Sequence, residues 1–413
     1  MENSRRVVVT GVGMITPVGL DAPTSWAALV AGKSGAGRIS RFDPSPFEVQ
    51  IACEVKGFDP AAHLDYKEAR RMDRFCQFAM VAVKEAMADS GLTINGTNAE
   101  RVGVIIGSGI GGIATILDAV KVMETRGPSR IGPFAVPMLM ADIAAGQVAI
   151  TYGAKGPNHA IVAACATGTV VIGEAATLIR RGLADAMICG GSEAAIVPIA
   201  LGGLGNMGAL SKRNDAPEKA SRPFDRDRDG FVMGEGAGIM VLERLDHALA
   251  RGAHIYGEVA GYGATADAFH ITAPAEGGEG AARAMKIALK QAGLAPEELD
   301  YINAHGTSTA LNDVSETQAI KTVLGKHAYR VAISSTKSMV GHIMGAAGVV
   351  EGIATLLTLR DGVIHPTINL DNPDPQCDLD YVPHVARRAP VHVAMSNSFG
   401  FGGHNACVVF RRV

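Results

Sequence analysis

Charge and aromatic rings are both scarce in this 413-residue chain, at 19% and 5% of positions, and there is one tryptophan. So little charge, with a positive mean hydropathy, excludes a disordered or solvating chain. The net charge of −3 leaves no basic excess to hold a nucleic-acid backbone. No long apolar run escapes a charge or a glycine-rich break, which excludes a membrane span. The cysteines are few and scattered (Cys53, Cys76, Cys165, Cys189, Cys377, Cys407) and form no CxxC pair. That argues against a zinc site and suits free thiols in a reducing cytosol. Met1–Arg6 runs straight into Val7-Val8-Val9, leaving no room for the apolar core of a signal peptide. The expectation is a soluble, cytoplasmic protein. What the chain has in excess is glycine, 50 residues or about 12% against an average near 7%. With 47% apolar residues, this means tight turns and close backbone approaches.

Strand-like runs alternate with helix-like segments from end to end. Val7–Val9, Val102–Ile106, Ala186–Cys189, Ile239–Leu242, Tyr301–Asn303, Val331–Ser334 and Val408–Phe410 read as strands. Several lack polar alternation, as expected of strands covered on both faces. Met72–Ser90, Gly168–Arg181, Ala281–Ala292, Asp313–Leu324 and Ala346–Arg360 read as helices, which gives a layered α/β fold. A faint repeat lays Gly168, Arg180 and Gly182 on Gly348, Arg360 and Gly362. Both segments are a small-residue opening, an apolar helix and a terminal Arg-x-Gly. Two similar halves are predicted, residues 1–252 and 253–413. Two glycine clusters imitate a dinucleotide site. Gly11-Val12-Gly13 has Thr16 where the third glycine belongs, and Gly107–Gly112 lacks the acidic residue after a following strand. Both read as tight turns.

Chemistry concentrates around Cys165, in Ala163-Ala164-Cys165-Ala166-Thr167-Gly168 before an apolar helix. A cysteine at a helix N-terminus sees N–H groups and the positive end of the dipole, which favour thiolate. The bland alternative, a small buried hydrophobe, suits Cys53, Cys76, Cys189 and Cys407. His305, in Asn303-Ala304-His305-Gly306-Thr307-Ser308-Thr309, and His342, after Gly341, each end a strand-like run in a loop of small residues. A nucleophile with two polar helpers fits that pattern. Metal binding by the pair competes, but they lie far apart in sequence and neither has a partner at i+4. Glu351 falls inside an apolar helix, either paired with Lys337 or on a solvated face. Ser396–Gly403 places Phe399 and Phe401 in a glycine-rich turn able to offer an N–H to an oxyanion.

These residues belong to motifs. RVVVTGVGMITPVG, ACATG, RPFDRDRDGFVMGEGAG, NAHGTST, STKSMVGHIMGAAGVVE and SNSFGFGGHN together resemble the β-ketoacyl-acyl-carrier-protein synthases of the thiolase superfamily, along essentially the whole chain. The resemblance implies a thiolase-like fold, two similar halves in a five-layered αβαβα stack, and a homodimer. It implies Cys165 as the acylated nucleophile, His305 and His342 as the pair that handles malonyl carrier protein, Lys337 and Glu351 as a supporting ion pair, and Phe401 as a gate. Ile110, Leu204, Thr307, Thr309 and Phe399 would bind substrate. A structural cation, monovalent or divalent, would sit near Asn303, Glu351, Ser396 and Asn397; no cofactor is required. The implied partner is acyl carrier protein, with no nucleic acid and no membrane. Three positions depart from the family pattern. Leu204 stands for an aromatic, Gly208 for an arginine and His404 for a common threonine.

The implied reaction is a decarboxylative Claisen condensation of malonyl carrier protein with a Cys165-bound acyl chain in fatty-acid elongation. Three rivals share parts of this pattern. A thiolase would need a second active cysteine near the C-terminus, where only Cys407 stands. A polyketide ketosynthase would run the same chemistry on another carrier. A silent chain-length-factor-like partner would lack the nucleophile that Cys165 supplies.

Overall fold

The computed structural model describes residues 5–413. Among them, ten strands form one sheet. The first five are β1 (Val7–Ile15), β2 (Val102–Gly107), β3 (Asn158–His159), β4 (Ala186–Glu193) and β5 (Gly236–Arg244). The second five are β6 (Gly257–Ala266), β7 (Tyr301–Asn303), β8 (Ala332–Ser334), β9 (Val393–Gly400) and β10 (His404–Arg411). Their order is β8-β7-β9-β10-β6-β1-β5-β4-β2-β3, so each strand of the first five answers the one five places later. β5 lies antiparallel between β1 and β4, and β2 runs parallel to both β4 and β3. β10 lies antiparallel between β6 and β9, and β7 runs parallel to both β9 and β8. A short antiparallel seam joins the sets, Val8 opposite Glu258 and Val9 opposite Gly257.

The helices that place the site are α1 (Arg74–Ser90), α2 (Ile113–Arg126), α3 (Ile143–Tyr152), α4 (Thr167–Arg180), α5 (Pro198–Asn206), α6 (Glu279–Ala292), α7 (Ala310–Leu324) and α8 (Ala347–Asp361). α1 and α3 cover the outer face of the first five strands; α6 lies on that of the second five, and α7 packs beside it, sharing one apolar cluster with Ile302, Ile333 and Met395. α4 and α8 lie between, each touching strands of both sets, which gives the expected αβαβα stack. α8 is buried on every side from Ala347 to Leu359, so it has no polar face to read in its sequence. α4 and α8 each end one residue before a glycine or at one residue's remove, and Gly182 and Gly362 both take left-handed φ, 75° and 61°. The Arg-x-Gly repeat is thus a pair of helix ends. α8 opens at Ala347, which puts Glu351 in its second turn.

The first glycine cluster has a packing cause. A Cβ on Gly11 or Gly13 would lie 2.3 Å from the Ala86 carbonyl and 2.0 Å from that of Ala82, because α1 rests directly on β1. The second half repeats the arrangement. Gly261 and Gly263 lie under Ala288 and Ala284 of α6, a Cβ on either coming within 2.1 Å of a carbonyl.

Candidate active site

Cys165 sits in a 3-10 turn, Ala164–Ala166, that leads into α4. The turn is tied at its base: Thr167 donates to the Ala164 carbonyl at 2.7 Å and accepts from the Ala163 N–H at 2.8 Å. Ala164 has φ 48°, a conformation that costs a non-glycine residue about 1–3 kcal/mol and persists only where its surroundings enforce it. The β9–β10 turn closes over it, since a Cβ on Gly400 would lie 3.0 Å from the Cys165 nitrogen. Thr169 and Ser398 share a 2.7 Å hydrogen bond that ties α4 to β9. The N–H groups of Phe401 and of Cys165 itself face the sulfur. Cys165 is partly open to the cavity, yet burial pushes its thiol up to about 11. That reverses the expected bias towards thiolate: desolvation, with the nearby Glu193 charge adding to it, outweighs the N–H groups and the Lys337 charge. The other five cysteines are buried, as small hydrophobes.

The two imidazoles face each other, ring centres 5.4 Å apart and nearly perpendicular. His305 follows β7, and its N–H and that of Gly306 donate to the two carboxylate oxygens of Glu316 on α7, at 2.9 and 2.8 Å. His342 follows Gly341, whose φ of 66° turns the chain, and its N–H donates to the Val232 carbonyl at 2.7 Å. Each ring has its Nδ1 occupied by a donor. The Lys337 ammonium reaches His305 Nδ1 at 3.2 Å, and the Met344 N–H reaches His342 Nδ1 at 3.2 Å. Both imidazoles therefore carry their hydrogen on Nε2. The Nε2 of His342 is buried and has no partner within the described residues. Burial and the nearby Lys337 ammonium hold both rings well below the usual histidine range, hence neutral, and His342 lowers His305 further.

Lys337 and Glu351 form a buried ion pair behind His305. Burial pushes the Glu351 carboxyl up and the Lys337 charge pulls it back. Asn303 and Ser396 lie opposite each other on β7 and β9, and both, with Asn397, are buried. Glu351 Oε2, Ser396 Oγ and Asn397 Oδ1 are buried oxygens without partners among the described residues. A set of oxygen donors fits a hard cation. Asn303 differs: its Oδ1 accepts from Thr336 at 3.3 Å, and its Nδ2 donates to the Glu351 carbonyl at 3.3 Å.

A cavity of about 790 Å³ runs past the thiol. Cys165, His305, His342, Thr307, Thr309, Phe399 and Phe401 line it, as do Ile110 and Leu204 among other apolar side chains. Gly208 lines it too, at the exposed end of α5. Phe401 is half-buried, and the next residue, Gly402, has φ 83° and donates its N–H to the Ile271 carbonyl at 2.7 Å. His404 is exposed, and its ring would lie 3.1 Å from a Cβ on Gly402. Sequence reasoning missed Glu316 and Glu193, both buried. The signal for Glu316 was present: the α7 stripe Ile320, Val323, Leu324 continues backwards onto Glu316, Thr317 and Asp313 at helical spacing.

Family models match on both sides of the central seam. That for the beta-ketoacyl synthase N-terminal domain matches residues 4–248, and that for the C-terminal domain residues 256–371. The chain belongs to the β-ketoacyl synthase family. This synthase is 55% identical over 408 residues to a 3-oxoacyl-[acyl-carrier-protein] synthase 2 of Synechocystis, spanning 99% of this chain and 98% of that one. It is 53% identical over 412 residues to the enzyme of that name from Staphylococcus aureus, spanning 100% and 99%. Among solved structures it resembles a type II polyketide synthase ketosynthase, bound to a hexaketide, in complex with its acyl-carrier protein (TM-score 0.92, 37% identity, all of both chains). It also resembles a β-ketoacyl synthase from Burkholderia phymatum (TM-score 0.92, 36% identity, 99% and 100% of the chains). Among the described residues no helix is long and apolar enough to cross a membrane.

Proposed function

We propose that this synthase lengthens acyl chains by two carbons in fatty-acid synthesis, as a 3-oxoacyl-[acyl-carrier-protein] synthase of the second type. The observation that carries the reading is the pair of neutral imidazoles, each with Nδ1 taken by a fixed donor, beside a cysteine in an apolar cavity. In the first half-reaction the Cys165 sulfur attacks the thioester carbonyl of acyl carrier protein. The oxyanion takes hydrogen bonds from the Cys165 and Phe401 N–H groups, and the carrier thiol leaves with the proton. In the second, malonyl carrier protein loses carbon dioxide. The electron pair of the broken C–C bond passes into an enolate, whose oxygen accepts from Nε2–H of His305 and His342. The enolate carbon attacks the Cys165 thioester, the new C–C bond forms, and the sulfur leaves and regains a proton from solvent. Lys337 and Glu351 keep His305 neutral and aimed; Thr307 and Thr309 hold the carrier's arm, Ile110, Leu204 and Phe399 the acyl chain, and Phe401 moves aside for it. A cation held by Glu351, Ser396 and Asn397 would supply fixed charge behind the site and no step of the reaction.

The partner is acyl carrier protein in both half-reactions, consistent with the carrier-bound ketosynthase it resembles. The working unit is a cytoplasmic homodimer of chains whose halves are residues 1–252 and 253–413. Exposed Ile116, Val120 and Met123 on α2, with Phe134, Val136 and Met140, form the apolar face that a second copy would cover. Incubation with malonyl and acyl carrier proteins, followed by mass analysis, tests the reading. A 3-oxoacyl product two carbons longer supports it, and release of acetyl carrier protein alone overturns it.

A further inference from the structure

One buried carboxylate takes no part in the steps above. Glu193, the last residue of β4, is 0% exposed, and its four hydrogen-bond partners are all donors. Ser108 Oγ (2.8 Å) and the Ile110 N–H (3.3 Å) reach Oε1; the N–H groups of Gly109 (2.7 Å) and Gly345 (3.0 Å) reach Oε2. The Ser108 hydroxyl itself accepts from the Gly111 N–H at 2.9 Å, so its own hydrogen points to Glu193. Four donors on two oxygens call for a carboxylate. A carboxamide of the same shape would turn hydrogens against two of them.

Those donors come from two places that the reaction treats separately. Ser108, Gly109 and Ile110 form the turn that carries Ile110 into the acyl cavity. Gly345 follows Met344, whose N–H sets the hydrogen position of His342 and whose φ is 42°. A residue in that conformation needs an external hold. We propose that Glu193 is a positioning residue for His342. Its carboxylate locks the Met344–Gly345 turn so that the Met344 N–H stays on Nδ1 and the imidazole hydrogen stays on Nε2, facing the cavity. This rests on the role given above to His342.

Glu193→Gln tests it in a cycle with His342→Ala, reading malonyl carrier protein decarboxylation and acylation of Cys165 separately. Glu193→Gln should lower the decarboxylation kcat about 10- to 100-fold with KM unchanged, because an enolate donor is mis-set rather than substrate binding lost. Acylation should stay within about threefold of wild type, and adding Glu193→Gln to His342→Ala should cost little more. An unchanged kcat, a parallel loss in both half-reactions, or full additivity with His342→Ala would overturn the proposal. If Glu193→Gln does not fold, Ser108→Ala carries the same cycle by removing one donor. It should lower decarboxylation about threefold alone and not at all beside His342→Ala, and additive loss there overturns the proposal. If His342→Ala itself decarboxylates at the wild-type rate, the proposed function fails instead.

Discussion

Cys165 and Gly345 occupy the same place in two copies of one backbone. Each is the middle residue of a 3-10 turn, Ala164–Ala166 or Met344–Ala346, that opens a central helix. Each follows a non-glycine residue with left-handed φ, 48° at Ala164 and 42° at Met344. The surroundings differ. Over Cys165 lies Gly400, which leaves room for a side chain and a substrate, and the turn faces a cavity. Over Gly345 lie the Gly109 nitrogen and the Glu193 carboxylate, 2.3 and 2.8 Å from where a Cβ would stand. The strained turn alone therefore does not make a nucleophile site. What closes over it decides between a reaction centre and a brace.

The first turn is the more sensitive of the two. Cys165→Ala should abolish condensation, a loss of at least about 10⁴-fold, because the remaining thiols are buried elsewhere. Decarboxylation should survive, since it uses the imidazoles, and intact condensation would sink the assignment. Next come the donors. His305→Ala and His342→Ala should each lower decarboxylation about 10²–10³-fold while Cys165 still takes an acyl group, seen as a mass shift. In the wild type both rings are held below the usual range, so they stay neutral as pH falls through their ordinary value. Decarboxylation should be flat from roughly pH 8 to pH 6, and an acid limb near 6.5 would show a ring of ordinary pKa. Lys337→Ala should cost about 3–5 kcal/mol by stranding Glu351, and an unchanged Tm would exclude a buried pair.

Gly345→Ala sharpens the contrast, because it asks the second turn to hold a side chain. The clash with backbone should cost about 1–3 kcal/mol in denaturant unfolding, and a neutral result would mean the brace is loose. The smallest effect is selective. Ile110→Phe should reduce activity on acyl chains of roughly ten to sixteen carbons and spare short ones, since overpacking matters only when the pocket is filled that far. Equal loss at every length would remove Ile110 from the pocket.

Much of this was legible in the chain. Val/Ile runs marked the strands, the Gly168/Gly348 spacing marked the two central helices, and small residues around Cys165, His305 and His342 marked the loops that meet at the cavity. What stayed hidden depends on pairing. That Gly11 and Gly13 lie under a helix is invisible until α1 is placed, and a glycine before a strand end looks the same in a phosphate-binding turn. Glu193 and Glu316 read as ordinary acidic residues, because burial of a carboxylate is set by donors from distant segments. The thiol misled for the same reason: helix position is local and readable, whereas desolvation comes from the whole fold.

The seam between the halves has a consequence for how the molecule is made. Each central helix packs on strands of both halves, and the turn that covers Cys165 is Gly400-Phe401, far downstream of it in sequence. Synthesis runs from the N-terminus, so the nucleophile leaves the ribosome long before the strands that enclose it. A nascent chain carries the sulfur but neither the Phe401 N–H nor the two imidazoles. A chain that stops before β9 therefore holds the nucleophile without the turn that covers it, and its reactive centre is incomplete.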